Sequence, residues 1–509
     1  MKWSNAVIGL LCGLFVGSTV CSERDMVNPR VIIVGAGAAG VAAVSKLYQR
    51  GLTNLTVLEA SERYGGRIRT TPFGSGAGVV ELGAQWCHGE QGNVVHELAS
   101  RFPGLLKSSI AKKELALVRS NGERIDPTVF GQLMALAEAI EELDERREFD
   151  GSFGQFFEAK FWEKLDIDEA YRGVDRELAR QFLVYYHNYN RGYSAYDSWY
   201  DVAAHEADGF EITEGDQLLA WTGARGYSSI LDILSGNYPG SDASTRVPLD
   251  ALTIFNQFVT NIQWQGAPGN SVVVTTEDGA RYDAHHVIVT VSLGVLKENY
   301  RTMFTPPLPS VNRQAVEGIQ FGAVNKIFIL FNAPIPAQFG NAISLLWYER
   351  DLLALNQTKH AWTEAVSFFY RVDSQPNVLC AWLNGPLGRQ AELLPDDTIR
   401  EGLLHLLSVF VNKIEFGEVL AIVKSNWSSN RFFRGSYSSR SIATERMQTG
   451  AKYLAYPLMD INSTPRVLMA GEATMEKYYS TVHGAVASGQ REANRLIDLY
   501  KQKRGSNDQ

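Results

Sequence analysis

Three features of this sequence predict an α/β protein, with a Rossmann-like nucleotide-binding domain assembled from discontinuous segments and a second α+β domain of mixed sheet plus helices. The first is Val31-Ile32-Ile33-Val34 running straight into Gly35-Ala36-Gly37-Ala38-Ala39-Gly40, which reads as a buried parallel strand entering G-x-G-x-x-G. The second is size: 509 residues and 56.4 kDa exceed one ordinary core. The third is the return of buried-strand runs at Val287-Ile288-Val289-Thr290-Val291 and Val467-Leu468-Met469-Ala470, after long stretches of different pattern.

Each part of the first motif has a physical task. Gly35 allows the tight turn, Gly37 admits a pyrophosphate to the backbone, and Gly40 lets a helix over Val41 to Gln49 lie against the strand. The first helical N–H groups then point at phosphate. Leu55 to Leu58 forms the next strand, with Glu59 at its end. A carboxylate there accepts both ribose hydroxyls and repels a 2'-phosphate, so the ligand is an adenine dinucleotide without that phosphate.

Composition narrows the class. Apolar content of 45% and charged content of 20% are those of a globular chain, and a net charge of -8 argues against nucleic acid as the general partner while favouring cations. Met1 to Cys21 holds Lys2, the short apolar run Ala6 to Gly17, and small residues after it, so 1–22 is expected to be a signal peptide and the protein secreted. A retained N-terminal anchor is the alternative, although the run is too short for a stable transmembrane span. Without that segment only Cys87 and Cys380 are certain to remain, which make no disulfide framework. Sequons stand at Asn54, Asn356, Asn426 and Asn462, the first doubtful because a core strand follows it. No metal ligands are expected, and the sequence does not specify an oligomeric state.

Further along, Arg63-Tyr64-Gly65-Gly66-Arg67 brings glycine backbone and guanidinium donors suited to phosphate, and Glu81 to Gly89 sets Trp86, Cys87 and His88 between glycines. Leu133 to Arg147 reads as an acidic solvated helix. Residues 154–207 also read as helical, with Tyr185, Tyr186, Tyr189, Tyr193, Tyr196, Trp199 and Tyr200 near Asp197, Asp201, Glu206 and Asp208. Such a set either lines a slot for an organic cation or, as the simpler reading, builds the core and surface of a helical layer. Ile254 to Ile262 and Val272 to Thr275 read as strands, the second followed by a turn at Asp278-Gly279. Lys326 lies inside the apolar strand Ala323 to Phe331, so it either ends in solvent or points into a polar site. Residues 365–384 alternate as antiparallel strands, Asp397 to Val411 reads as a helix, and the final helix opens at Thr481-Val482-His483-Gly484, its dipole facing an electron-rich ring.

Together these residues resemble the flavin-containing amine oxidase family, most closely its polyamine oxidase and spermine oxidase branch. The resemblance runs from about residue 29 to the last helix and rests on Gly35 to Gly40 with Glu59, Arg63 to Arg67, Glu81 to Gly89, Ser292 to Leu296, Asn325-Lys326-Ile327, Gly435 to Ser438, and Gly471-Glu472 with His483-Gly484-Ala485. It implies FAD, held with Glu59 at the adenosine ribose, Gly66 and Arg67 near the pyrophosphate, Val259 on the adenine side and Glu472 at the ribityl or pyrophosphate region. It also implies that Lys326 holds a water at flavin N5, that Trp86 and Tyr437 lie by the flavin, and that Thr481 stands where some relatives carry an aromatic residue. His88 takes the place of a histidine in animal spermine oxidases and of a glutamate in a plant polyamine oxidase. Monoamine oxidases link flavin to a cysteine where this chain has Ser436, so the FAD is expected to be non-covalent.

The implied domains are an FAD-binding domain at 29–115, 248–320 and 465–502, and a substrate domain at 116–247 and 321–464. The implied reaction is oxidation of a polyamine, by hydride transfer from the carbon beside an amine nitrogen to flavin N5. Imine hydrolysis and O2 reoxidation then give an aminoaldehyde, a shorter amine and H2O2. Lys326 and His88 are the expected catalytic residues, with Trp86, Tyr437 and Thr481 binding substrate. A monoamine or L-amino-acid oxidase on the same fold, or an FAD-binding protein with little catalysis, are the alternatives.

Overall fold

The structure, a computed structural model, describes residues 28–507 apart from Ser75, Ala77, 111–114 and 267–270. The expected signal peptide at 1–22 lies outside the described residues. A six-stranded sheet organises the nucleotide-binding domain, in the order Leu458–Met459, Pro465–Met469, His286–Val289, Val31–Val34, Leu55–Leu58, Thr253–Ile254. Val31–Val34 runs parallel to both of its neighbours and all four of its residues are buried, which is why it reads as an unbroken apolar run. Val31 and Ile33 pack towards the helices, while Ile32 and Val34 pack towards a second, four-stranded sheet that contains Val259–Gln263 and Val272–Thr276. Helices Ala38–Gln49 and Val482–Asn507 cross closely on the first side: a Cβ on Gly489 would lie 2.1 Å from the carbonyl oxygen of Ala39.

Several expected boundaries shift. Ile254 to Ile262 is two strands, because Thr253–Ile254 completes the parallel sheet and the chain turns at Asn256, φ 58°, before Val259–Gln263 starts the other. Asparagine is among the few residues that tolerate this left-handed backbone. The first helix begins at Ala38 rather than Val41. The domain ends placed at 247 and 464 both fall late. Leu219–Trp221 pairs with Trp86–Cys87 and Leu106–Ser108, and Ile230, Leu234 and Val247 share a core with Val31 and Leu47. Leu454 and Leu458 likewise pack with Val467 and Met469. Such short segments carry too few periods for the sequence to reveal which core they join.

The second domain is built on a mixed six-stranded sheet, in the order Val419–Lys424, Val324–Phe331, Val378–Asn384, Val366–Arg371, Ala342–Leu346, Leu115–Arg119. Asp396–Phe410 packs against it through Ile399, Leu403 and Leu406. Helices Pro127–Glu141, Phe153–Ile167 and Arg176–Ser194 gather around Phe156, Phe157 and Phe182. Tyr185, Tyr186, Tyr196 and Trp199 belong to that helical core, whereas Tyr189, Tyr193 and Tyr200 are exposed and Asp197 is paired with Arg389 at 2.8 Å. Four of the seven aromatics thus form a helical core, as the simpler reading expected. The side chains of Glu206 and Asp208 lie outside the described residues.

Candidate active site

The carboxyl ends of the parallel strands form a cradle walled by backbone. Gly35 stands at φ +102°, and a Cβ on Gly40 would lie 2.0 Å from Gly35 O, so strand and helix meet in contact. Gly37 is the N-cap of Ala38–Gln49 and provides no side-chain cap, so the buried first turn keeps its N–H groups for something else. Facing it, Gly66 stands at φ +58°, and a Cβ there would lie 3.3 Å from Gly37 Cα.

Glu59 is buried at the strand end, and its carboxylate accepts from Ala36 N at 2.7 Å, Ser61 N at 2.9 Å and Ser61 Oγ at 2.6 Å. These bonds fix the carboxylate at the strand end, beside the glycine cradle. Arg67 donates from Nη1 to Glu472 Oε1 at 2.9 Å and to Ser436 O at 2.6 Å. Glu472 Oε2 accepts from Ser438 Oγ at 2.6 Å and Ser480 N at 2.8 Å. Glu472 thereby holds Arg67 and two loops together at the cradle. Val259 turns its side chain into the core beside Leu58, which leaves its main chain to meet a ligand. An uncapped helix start, two opposed glycines, a buried carboxylate and a guanidinium with unengaged N–H groups fit an adenine dinucleotide phosphate bridge.

The reaction side begins at Lys326, which the strand Val324–Phe331 carries into a polar site and not into solvent; the residue is 4% exposed. Its Nζ donates to Glu81 O at 2.9 Å, Gly83 O at 2.7 Å and Gln85 Oε1 at 2.7 Å. All three ammonium protons are thus taken by the protein. The expected water needs one of them released, and Gln85 is the only side chain of the three acceptors. Nζ also lies 5.0 Å from the ring of Trp382 and 5.8 Å from that of Trp86. Trp86 and Trp382 stack at 5.9 Å, and Tyr370, whose hydroxyl donates to Gln85 Oε1 at 2.7 Å, closes the aromatic wall. Burial pushes the Lys326 ammonium down from its ordinary range and the neighbouring Glu81 carboxyl up.

His88 stands on the same side. Its Nδ1 lies 2.7 Å from Gln217 O, so Nδ1 carries the proton and Nε2 is left as an acceptor while the ring is neutral. Burial lowers the protonation of this imidazole, and the charge of Lys326 lowers it further. Gly89 cannot be replaced without disturbing the turn, since a Cβ would lie 1.9 Å from Thr213 Oγ1, the hydroxyl bonded to His88 O.

Tyr437 donates its hydroxyl to Gly192 O, and burial holds its proton well above the usual phenol range. Ser436 accepts from Val324 N and donates to Val324 O, both at 2.8 Å. Thr481, expected to meet substrate, has its hydroxyl engaged in capping the last helix: Oγ1 accepts from Gly484 N at 3.0 Å and donates to Tyr478 O at 2.7 Å. Sequence reasoning missed Gln85, Gln217, Trp382, Tyr370 and His483. Trp382 was the one within reach, because it lies opposite Lys326 in the antiparallel register of two strands that were both foreseen. His483 is 5% exposed beside Tyr478, and its Nε2 has no hydrogen-bond partner among the described residues.

Comparison with known proteins gives a consistent picture. Residues 38–497 match the family described as flavin containing amine oxidoreductase. The chain is 31% identical to the peroxisomal N(1)-acetyl-spermine/spermidine oxidase of Homo sapiens, over 93% of this chain and 96% of the relative. It is 28% identical to a probable polyamine oxidase 5 of Arabidopsis thaliana, over 93% and 98% respectively. The solved structure of a putrescine oxidase double mutant, redesigned in cofactor binding, matches with a TM-score of 0.65 at 20% identity, over 92% of this chain and 99% of that one. That last likeness concerns the fold alone.

Proposed function

Because this chain belongs to the flavin-containing amine oxidoreductase family and takes FAD as its cofactor, we propose that it oxidises a polyamine: spermine, spermidine or an N-acetylated derivative, with O2 as second substrate. The observation that carries this reading is the likeness, over nearly the whole chain, to proteins named as N(1)-acetyl-spermine/spermidine oxidases. The local chemistry agrees with it. When bound, FAD supplies a hydride acceptor for the carbon beside an amine nitrogen and passes the electrons to O2 as H2O2.

The protein's own part is to hold the amine and take its proton. His88 offers an unprotonated Nε2, because Nδ1–H is fixed to Gln217 and burial keeps the ring neutral. An ammonium donating to that atom is oriented by it and, once the proton is given up, has a free lone pair. Trp86 and Trp382, backed by the buried Tyr370, form an apolar wall around Lys326 that keeps bulk water away. Lys326 holds a water at the reaction centre when Gln85 moves aside, since Glu81 O and Gly83 O keep the ammonium in place. FAD is retained without a covalent link, the Ser436 hydroxyl being occupied on both sides by Val324. Secretion belongs to the same proposal and rests on the N-terminal sequence.

Anaerobic bleaching of the purified holoprotein by spermine, spermidine, N1-acetylspermine, benzylamine and a neutral amino acid tests it. Rapid bleaching by a polyamine, with peroxide on admitting air, is the expected result. Bleaching by benzylamine or the amino acid alone would change the substrate class, and bleaching by none would leave an FAD-binding protein with little catalysis.

A further inference from the structure

We propose that Gln85 selects the substrate: its carboxamide N–H2 donates to the acyl oxygen of an N-acetylated polyamine and favours that substrate over the free polyamine. The inference rests on the polyamine reading above and chooses within it. The orientation of the carboxamide follows from its partners. Lys326 Nζ and the Tyr370 hydroxyl each lie 2.7 Å from Oε1, and an ammonium only donates, so this atom is the oxygen and Nε2 is the other end. Nε2 has no hydrogen-bond partner among the described residues, yet protein does not seal it off. Lys326 and Tyr370 are buried while Gln85 is only partly so, and Nε2 therefore opens into the cleft that these two residues back.

The groups around Nε2 decide what it can hold. Lys326 meets two backbone carbonyls and the Gln85 oxygen, and among the described residues no carboxylate is in hydrogen-bond contact with it. A terminal ammonium placed beside Gln85 would face this like charge with nothing to offset it, and the N–H2 offers it no acceptor. An acetamide at the same place carries no charge and brings a carbonyl oxygen that accepts from Nε2. Acetylation leaves the amines further along the chain as they were, and His88 Nε2 is an acceptor for one of them. Gln85 and His88 belong to the same short segment, so an acetamide and an amine joined by a short methylene linker suit the pair. Gln85 is also the one side chain among the three acceptors of Lys326. Drawn towards the acyl oxygen, its carboxamide leaves the ammonium and frees a proton for the water at the reaction centre.

The test reads a ratio, kcat/KM for N1-acetylspermine divided by kcat/KM for spermine, in the parent holoenzyme and in Gln85→Leu and Gln85→Glu. The parent is expected to favour N1-acetylspermine by about tenfold or more. Leucine, similar in size but without polar atoms, should lower the ratio about tenfold, and glutamate, which puts an acceptor where the donor stood, should invert it. A parent that favours spermine would overturn the inference. So would a Gln85→Leu enzyme slowed alike on both substrates, which would leave Gln85 a role at Lys326 alone. If neither variant retains FAD, the parent decides with N1-ethylspermine, which has similar bulk but a charged amine in place of the acetamide: it is expected to be about tenfold poorer than N1-acetylspermine, and equal kcat/KM overturns the inference. Oxidation of both polyamines without preference defeats this inference alone, whereas oxidation of neither defeats the polyamine reading beneath it.

Discussion

In the cradle, Arg67 and Glu472 meet at 2.9 Å, and the carboxylate also takes Ser438 and Ser480. Across the cleft, Lys326 and His88 are held by backbone carbonyls and the Gln85 amide, and burial pushes the protonation of both down. The same depth in the fold thus yields an ion-paired brace on one side and, on the other, desolvated nitrogens without a carboxylate in hydrogen-bond contact. The difference lies in whether a carboxylate is in hydrogen-bond contact. Loss of a cradle group should accordingly show in cofactor retention and stability, and loss of a reaction-side group in rate.

Glu472→Gln gives the largest expected effect. It leaves Arg67 without its partner and weakens the hold on the loops at Ser438 and Ser480, so FAD should separate on gel filtration and stability should fall by about 3 kcal/mol. A variant that keeps FAD and melts like the parent would break the comparison. His88→Ala should lower polyamine turnover about a hundredfold with FAD content unchanged. Its pH dependence has a definite sign: His88 has its protonation lowered from 6.5, so the gap between parent and variant is full at neutral and alkaline pH and closes only as acid protonates the parent ring. A constant ratio across pH would mark His88 as structural.

His483 sharpens the comparison through stability. Its imidazole titrates at about 4 in the fold against 6.5 unfolded, so the stability of burying it neutral is present above 6.5 and lost as pH falls towards 4. Between pH 7 and 5 the parent should lose about 2 kcal/mol more than His483→Gln, measured by denaturant melts; equal losses would contradict the neutral burial of this ring. The smallest effect is electrostatic capture by a chain of net charge -8. kcat/KM for a polyamine should drop about two- to fivefold from low to high salt, with benzylamine nearly insensitive.

The parallel-sheet start was legible because each step from Val31 to Glu59 has its own sterically required residue, and the structure uses Gly35, Gly40 and Gly66 at positions a side chain would obstruct. Lys326 was legible as an anomaly, a cation in an apolar strand, although only the fold showed that Glu81, Gly83 and Gln85 meet it. Thr481 shows where one dimension runs out: its side chain could cap the helix or face a ligand, and that choice depends on Tyr478 and Gly484 in three dimensions. His483 was in view within its motif, but an unpaired nitrogen becomes visible only once all neighbours are placed. The domain limits at 247 and 464 erred for a related reason, since Val247 and Leu458 carry no mark of the core they enter.

The central claim, that the desolvated bases serve the chemistry while the braced charges serve the cofactor, is tested most directly by stopped-flow anaerobic reduction of Lys326→Met holoprotein with spermine. Reduction about a hundredfold slower than in the parent, at equal FAD content, is the predicted result. A parent-like reduction rate in the fraction that keeps FAD, with cofactor lost from the rest, would place Lys326 with the cradle and contradict the account.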